Sequence, residues 1–172
     1  QHGGHLEVET DVGLGTTFKL YWPALSVADQ DTQVQAPPDA AQGTGQTILV
    51  VEDNGAMRTA LVTVMDMLGY RVLEAANGRE ALEVCEQHKN DISLVLSDWV
   101  MPSMGGLALV RELERREMAL KVLMLTGHPL DNETKRAVPA SVVGWLLKPV
   151  DLDQLAGAVA QALAGDESAA YA

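Results

Sequence analysis

The chain has 172 residues, 47% of them hydrophobic and only 4% aromatic, so one ordinary domain can bury a core of Val, Leu, Ala and Met, and wholesale disorder is excluded. Its 12 basic and 24 acidic residues give a formal net charge of -12, which makes nucleic acid and anionic membrane surfaces poor partners and favours divalent cations or basic protein surfaces. Cys85 is the only cysteine, which rules out an internal disulfide and suits a reducing compartment.

In chain order, residues 1–23, "QHGGHLEVETDVGLGTTFKLYWP", read as an amphipathic hairpin. Leu6 and Val8 fall on one face, as do Phe18, Leu20 and Trp22, with Gly-rich turn chemistry between them. An isolated hairpin is marginal in water, so this one reads as the end of something larger. Residues 24–46, rich in Ala, Gln, Asp, Pro and Gly without apolar period, have the composition of a flexible linker. Residues 47–165 then alternate short apolar runs with helical patterns, and residues 166–172 form a C-terminal tail.

The apolar runs are "ILVV" (48–51), "RVLEA" (71–75), "ISLVLS" (92–97), "KVLMLT" (121–126) and "VVGWLL" (142–147). They lack strict in/out alternation, as expected of a parallel sheet covered on both faces. The first helix places Met57, Leu61, Val64, Met65 and Leu68 on one stripe and stops at Gly69; Val62 is expected on the opposite side. Cys85, in "ALEVCEQ", reads as a buried structural thiol, and "RELERRE" (111–117) as a solvated helix face. The last helix carries Leu152, Leu155, Val159 and Leu163 behind an Asp151 cap. Five strands and five helices in alternation predict a doubly wound α/β sheet with helices on both faces. Right-handed crossovers put every strand C-terminus on one edge, where ligands of such sheets bind.

Glu52 and Asp53 follow the first run, Asp98 the third, Thr126 ends the fourth, and Lys148 follows the fifth. Carboxylates so close repel one another, and a hard divalent cation, Mg²⁺ or Mn²⁺, is the usual remedy. A metal and a lysine to neutralise phosphoryl oxygens, a hydroxyl to orient them and an aspartate to attack make a set suited to phosphoryl transfer onto a carboxylate. Singly, each residue also fits a turn or a strand end. Asp98 fits that plainer role least, because an unpaired charge ending an apolar strand is costly.

"ILVVEDN", "LVLSDWVMPSMGG", "VLMLTG" and "GWLLKP" resemble the four signature segments of the response-regulator receiver domain of two-component signalling. The resemblance implies a flavodoxin-like 2-1-3-4-5 sheet with Asp98 as phosphoacceptor. It implies a metal site of Glu52, Asp53, Asp98 and the Val100 backbone carbonyl, phosphoryl contacts from Thr126 and Lys148, and a cis Lys148–Pro149 bond. It also makes Thr126 and Trp145 a switch pair, with plain packing of Trp145 at a sheet edge as the alternative. The Glu-Asp pair departs from the commoner Asp-Asp, and "SMGG" lacks the acid that often precedes the last glycine.

Residues 1–23 resemble the closing segment of a histidine-kinase ATPase domain, in which "HGG", a strand, "GxGTxF" and a final strand ending in Pro follow in this order. "DVGLG" comes after "HGG", where that family's nucleotide loop does not lie, so neither ATP binding nor a role for His2 or His5 is expected. The resemblances together imply a hybrid sensor histidine kinase as parent. Its phosphohistidine, in the same chain or a dimer mate, would be the donor, and a histidine phosphotransfer protein a further partner, docking in part on the first helix. Cytoplasmic residence is expected, with a parent that a membrane can anchor. The competing expectations are a pseudo-receiver that works by binding alone, a haloacid-dehalogenase-like phosphatase and an active kinase. The phosphatase would want an acid where Val100 stands.

Overall fold

The computed structural model describes residues 5–11, 13, 15–21, 43–131, 134 and 137–165. The chain divides into two compact units, Gln1–Gln35 and Ala36–Ala172. In the first, β1 (His5–Asp11) and β2 (Gly15–Tyr21) pair antiparallel, with Val8 opposite Phe18 and Glu9 opposite Thr17. Cross-strand contacts join Thr10 to Thr16 and Lys19 to Glu9. His2 and Trp22 lie outside the described residues, as do the side chains of His5, Leu6, Phe18 and Leu20. Of the apolar face, Val8 is described, and it is 53% exposed. Only residues 43–46 of the expected linker, and none of the 166–172 tail, are among the described residues.

The second unit holds a parallel sheet of β3 (Thr47–Val51), β4 (Arg71–Ala75), β5 (Ile92–Asp98), β6 (Val122–Thr126) and β7 (Val142–Leu147). Its spatial order is β4-β3-β5-β6-β7, the flavodoxin-like 2-1-3-4-5 when strands are counted within the sheet. The central strands β3 and β6 are buried throughout, and β5 is buried at all but Ser93, which accounts for their unbroken apolar runs. The edge strands β4 and β7 are only partly covered, so two-sided burial does not extend to all five runs.

Alternation along the strands sorts the core into two halves. Leu49, Val51, Val95, Val122 and Met124 meet α2 (Gly78–Gln87) and α3 (Gly106–Arg115) on one face. Ile48, Val50, Leu94, Leu96, Leu123 and Leu125 meet α1 (Gly55–Met67) and α4 (Leu152–Ala164) on the other. The crossover between β6 and β7, where a fifth helix is expected, includes residues 132, 133, 135 and 136, outside the described set.

Helix ends follow local chemistry. Asn54 caps α1 by accepting from Met57 N–H, Asn77 caps α2, and Asp151 caps α4 by accepting from Gln154 N–H. Gly69, at φ +85°, closes α1 with paired bonds, its own N–H to Asp66 and that of Tyr70 to Met65. Along α1, Leu61, Met65 and Leu68 are buried, but Met57 is 43% exposed. Val62 is half-buried against the core, not opposite it, because the buried arc centres on Leu61 and Met65 and takes Val62 in at its margin. Cys85 is fully buried, and burial, with the Glu86 charge beside it, pushes its thiol up to about 11.

Candidate functional site

The strands β3, β5, β6 and β7 all end at one edge of the sheet, and the polar residues beyond their apolar runs gather there. Glu52 is the first residue past β3; its N–H still bonds Ala75 O at 3.2 Å, and its side chain is 2% exposed. Asp98 closes β5 at 9% exposure, and the Ser97 hydroxyl donates to its backbone oxygen at 3.0 Å. Asp53 is exposed on the loop that enters α1. Ligand oxygens of Glu52, Asp53 and Asp98 all lie within 4.8 Å of one another.

Lys148 supplies the counter-charge. Its backbone N–H bonds Thr126 O at 2.8 Å, tying the residue after β7 to the end of β6, and the Lys148–Pro149 bond is cis. The ammonium then bridges two of the acids, with Nζ 2.7 Å from Glu52 Oε2 and 3.2 Å from Asp98 Oδ2. Burial pulls the Lys148 pKa down, but hydrogen bonds and charge from Glu52 and Asp98 outweigh it and hold the group above the ordinary lysine value. Three acids against one ammonium leave a formal surplus of two negative charges. Hard carboxylate oxygens with that surplus fit Mg²⁺ or Mn²⁺.

Two further features fix the rim, and neither was anticipated from sequence. Arg58, on the first turn of α1, donates from Nη1 to Glu52 O at 2.7 Å and from Nε to Glu74 Oε2 at 3.2 Å. Its signal in the sequence is an arginine six residues after Glu52, at the start of a helix. Gly106 starts α3 directly beneath Asp98: a Cβ there would stand 2.5 Å from Asp98 O and 2.9 Å from Met124 Sδ. The second glycine of "SMGG" is therefore set by close approach.

The other expected site residues are placed as follows. Thr126 is buried at the end of β6, beside Asp98 on β5, and its hydroxyl is engaged by its own loop. It donates to His128 O at 2.8 Å and accepts from His128 N–H at 3.3 Å. His128 itself is exposed. Trp145 lies opposite Met124 in the β6–β7 register and packs on the α2/α3 half of the core. By strand alternation it shares a sheet face with Thr126. Val100 follows in the β5–α3 loop with its side chain 72% exposed.

Comparison with known proteins agrees with this geometry. Residues 48–160 match the response regulator receiver domain family. The chain is 36% identical, over an alignment of 172 positions that covers 95% of it, to the sensor kinase CckA of Brucella abortus (strain 2308), and 32% identical, over an alignment of 155 positions that covers 88% of it, to the sensor protein EvgS of Escherichia coli (strain K12). It spans only 18% and 13% of those two proteins. Among solved structures, the receiver domain of the hybrid histidine kinase CckA aligns with a TM-score of 0.58 at 33% identity, covering 68% of this chain and 98% of that one. The chemotaxis response regulator CheY4 of Vibrio cholerae aligns with a TM-score of 0.63 at 29% identity, covering 70% of this chain and 100% of that one. No helix among the described residues is long and apolar enough to cross a membrane.

Proposed function

The chain belongs to the response regulator receiver family, and from that membership we propose that it is the phosphoacceptor module of a hybrid sensor histidine kinase, taking a phosphoryl group from phosphohistidine onto Asp98. The observation that carries the reading is the acidic cluster of Glu52, Asp53 and Asp98 closed by a lysine that bridges Glu52 and Asp98. Such a cluster is costly as mere structure and useful as a site.

In this mechanism a carboxylate oxygen of Asp98 attacks phosphorus, the phosphorus–nitrogen bond of the donor breaks, and the electron pair leaves with the imidazole. Lys148, already at Asp98, follows the transferred group and neutralises one of its oxygens. Thr126 trades its bond to the His128 carbonyl for one to another phosphoryl oxygen, and Trp145, on the same face two residues back along the register, repacks with it. Mg²⁺ or Mn²⁺, held by Glu52, Asp53, Asp98 and the Val100 carbonyl, supplies the remaining charge neutralisation when bound. Water later hydrolyses the acyl phosphate.

The hybrid-kinase origin is supported by the match to a sensor kinase across 95% of the chain, which runs beyond the receiver into the N-terminal residues. On this reading residues 1–23 close an ATPase domain, 24–46 link it to the receiver of 47–165, and 166–172 are a tail. The phosphodonor is the parent kinase or its dimer mate, with a histidine phosphotransfer protein as a further partner, on the cytoplasmic side of any membrane that anchors the parent.

Intact-mass measurement after incubation with acetyl phosphate and Mg²⁺ tests the core of this. One added phosphoryl group is expected, absent from Asp98→Asn and from metal-free samples. A folded, Mg²⁺-saturated chain that gains nothing, even from its own kinase, would make this a pseudo-receiver that works by binding alone.

A further inference from the structure

We propose that Arg58 is a positioning residue of the metal site: it grips the peptide joining Glu52 to Asp53 and so fixes where both carboxylates stand. This rests on the reading of the acidic rim as a cation site.

The need for such a grip comes from the end of β3. The Glu52 N–H makes the last bond to β4, at Ala75 O, but the Glu52 carbonyl lies past the final β3–β5 register pair, Val51 with Ser97. A backbone carbonyl in so enclosed a place needs a donor. Arg58 provides it at 2.7 Å, a charge-assisted contact of the stronger kind. The same guanidinium is anchored at its Nε by Glu74 Oε2 on β4. One planar fork thus ties the loop to a sheet strand, a geometry that a lysine's point charge cannot reproduce.

The gripped oxygen belongs to the peptide from which Asp53 continues, so holding it restricts Asp53 as well as Glu52. The neighbouring bonds restrict the rest of the turn. Asn54 N–H donates to Glu52 Oε1 at 3.2 Å, and Arg58 N–H donates to Asn54 O at 2.9 Å.

Electrostatics argues in the opposite direction, which makes the assignment decidable. A guanidinium beside a cation site repels the cation, so if Arg58 acted only through charge, its removal would tighten Mg²⁺ binding. If it acts by positioning, removal weakens binding, because the ligands must then be organised at the moment the metal arrives.

The test is a Mg²⁺ titration of the full chain followed by tryptophan fluorescence, Trp99 being the residue after Asp98, with far-UV circular dichroism confirming that each variant is folded. Arg58→Ala is expected to weaken Mg²⁺ binding by roughly ten-fold, the lower end for outer-shell partners of metal ligands. Arg58→Lys, which keeps the charge and helix propensity but loses the fork, is expected to weaken it by roughly three-fold. It decides the matter alone if Arg58→Ala does not fold. Unchanged or tighter binding in Arg58→Ala, or a folded Arg58→Lys that matches the unmodified chain, would overturn the assignment. If the unmodified chain itself gives no saturable response to Mg²⁺, the reading of the rim as a cation site fails, and the assignment falls with it.

Discussion

The two ends of the same sheet are built on opposite principles. At the C-terminal edge, Glu52, Asp98 and Thr126 are buried polar groups, and like charges are crowded around one ammonium. At the N-terminal edge, polar groups are closed off one by one. Gly43 N–H bonds Leu68 O at 2.7 Å, Arg71 N–H bonds Gln46 O at 2.9 Å, and Lys121 reaches the last carbonyls of α4. Crowded carboxylates destabilise a fold unless something offsets them, whereas satisfied caps and turns stabilise it. The contrast teaches where to look for chemistry: at the end where the structure tolerates a cost. It also predicts that substitutions at the C-terminal edge change phosphorylation as well as stability, whereas those at the N-terminal edge change stability alone.

The largest effect is expected where the rim meets the core. In Gly106→Ala, the new methyl would press on the Asp98 carbonyl and Met124. Neither β5 nor α3 can retreat easily, so a loss of roughly 3 kcal/mol is expected in denaturant unfolding. Phosphorylation from acetyl phosphate should slow as well, because the backbone of Asp98 must move. Normal phosphorylation in a strongly destabilised variant would mean that the rim tolerates displacement of its central residue.

Lys148→Ala should come next, at roughly 2 kcal/mol in metal-free buffer. It strands the Glu52 carboxylate, but less severely than in a fully buried pair, since Lys148 reaches solvent. Mg²⁺ should restore much of that stability while phosphorylation stays abolished. The pH dependence has a definite sign. Lys148 is held above its ordinary value of 10.5, so its contribution is complete below about that pH and fades as pH rises through the folded-state value. The gap between the two proteins should be flat at neutral pH and narrow only in strong alkali. A gap that Mg²⁺ leaves unchanged would show that lysine and metal do not share a task, and would weaken the contrast between the ends.

Much of the fold was legible because its signals are local. Apolar runs that stop at a charge, Asp151 before the last helix and Gly69 after the first depend on neighbours in sequence, so the five strands, those two helix ends and the clustering of Glu52, Asp53, Asp98 and Lys148 could be read. The order of the strands came only with the resemblance to a known family. What stayed hidden depends on neighbours in space. Val62 was misread because the roll of α1 on the sheet is set by which arc packs best, and several arcs satisfy a 3.6-residue period. The need for glycine at position 106 comes from the close approach of α3 to Asp98, which pairs residues from two elements. Arg58 spans the gap from α1 to β4 to meet an otherwise orphaned carbonyl, a contact that no spacing along the chain reveals. The hydroxyl of Thr126 turns to the His128 carbonyl, a contact set by the path of the loop after β6 that no motif encodes.

The smallest expected effect is the cleanest test of the contrast, because both ends are reached from one strand. Lys121 precedes β6, and Thr126 ends it. The Lys121 ammonium lies 2.8 Å from Ala162 O and 3.4 Å from Leu163 O, where α4 ends in Gly165 at φ +83°. A cation on the unsatisfied carbonyls of a helix C-terminus is favourable through both hydrogen bonding and the helix dipole. Lys121→Met keeps most of the aliphatic stem and removes the charge, so urea unfolding should show a loss of about 1 kcal/mol. The phosphorylation rate should not change, since Lys121 holds α4 and α4 contributes nothing to the acidic rim. If that rate fell, strain would be passing along β6 from its first residue to Thr126, and the sheet would be one coupled element, not a closed end supporting an open one.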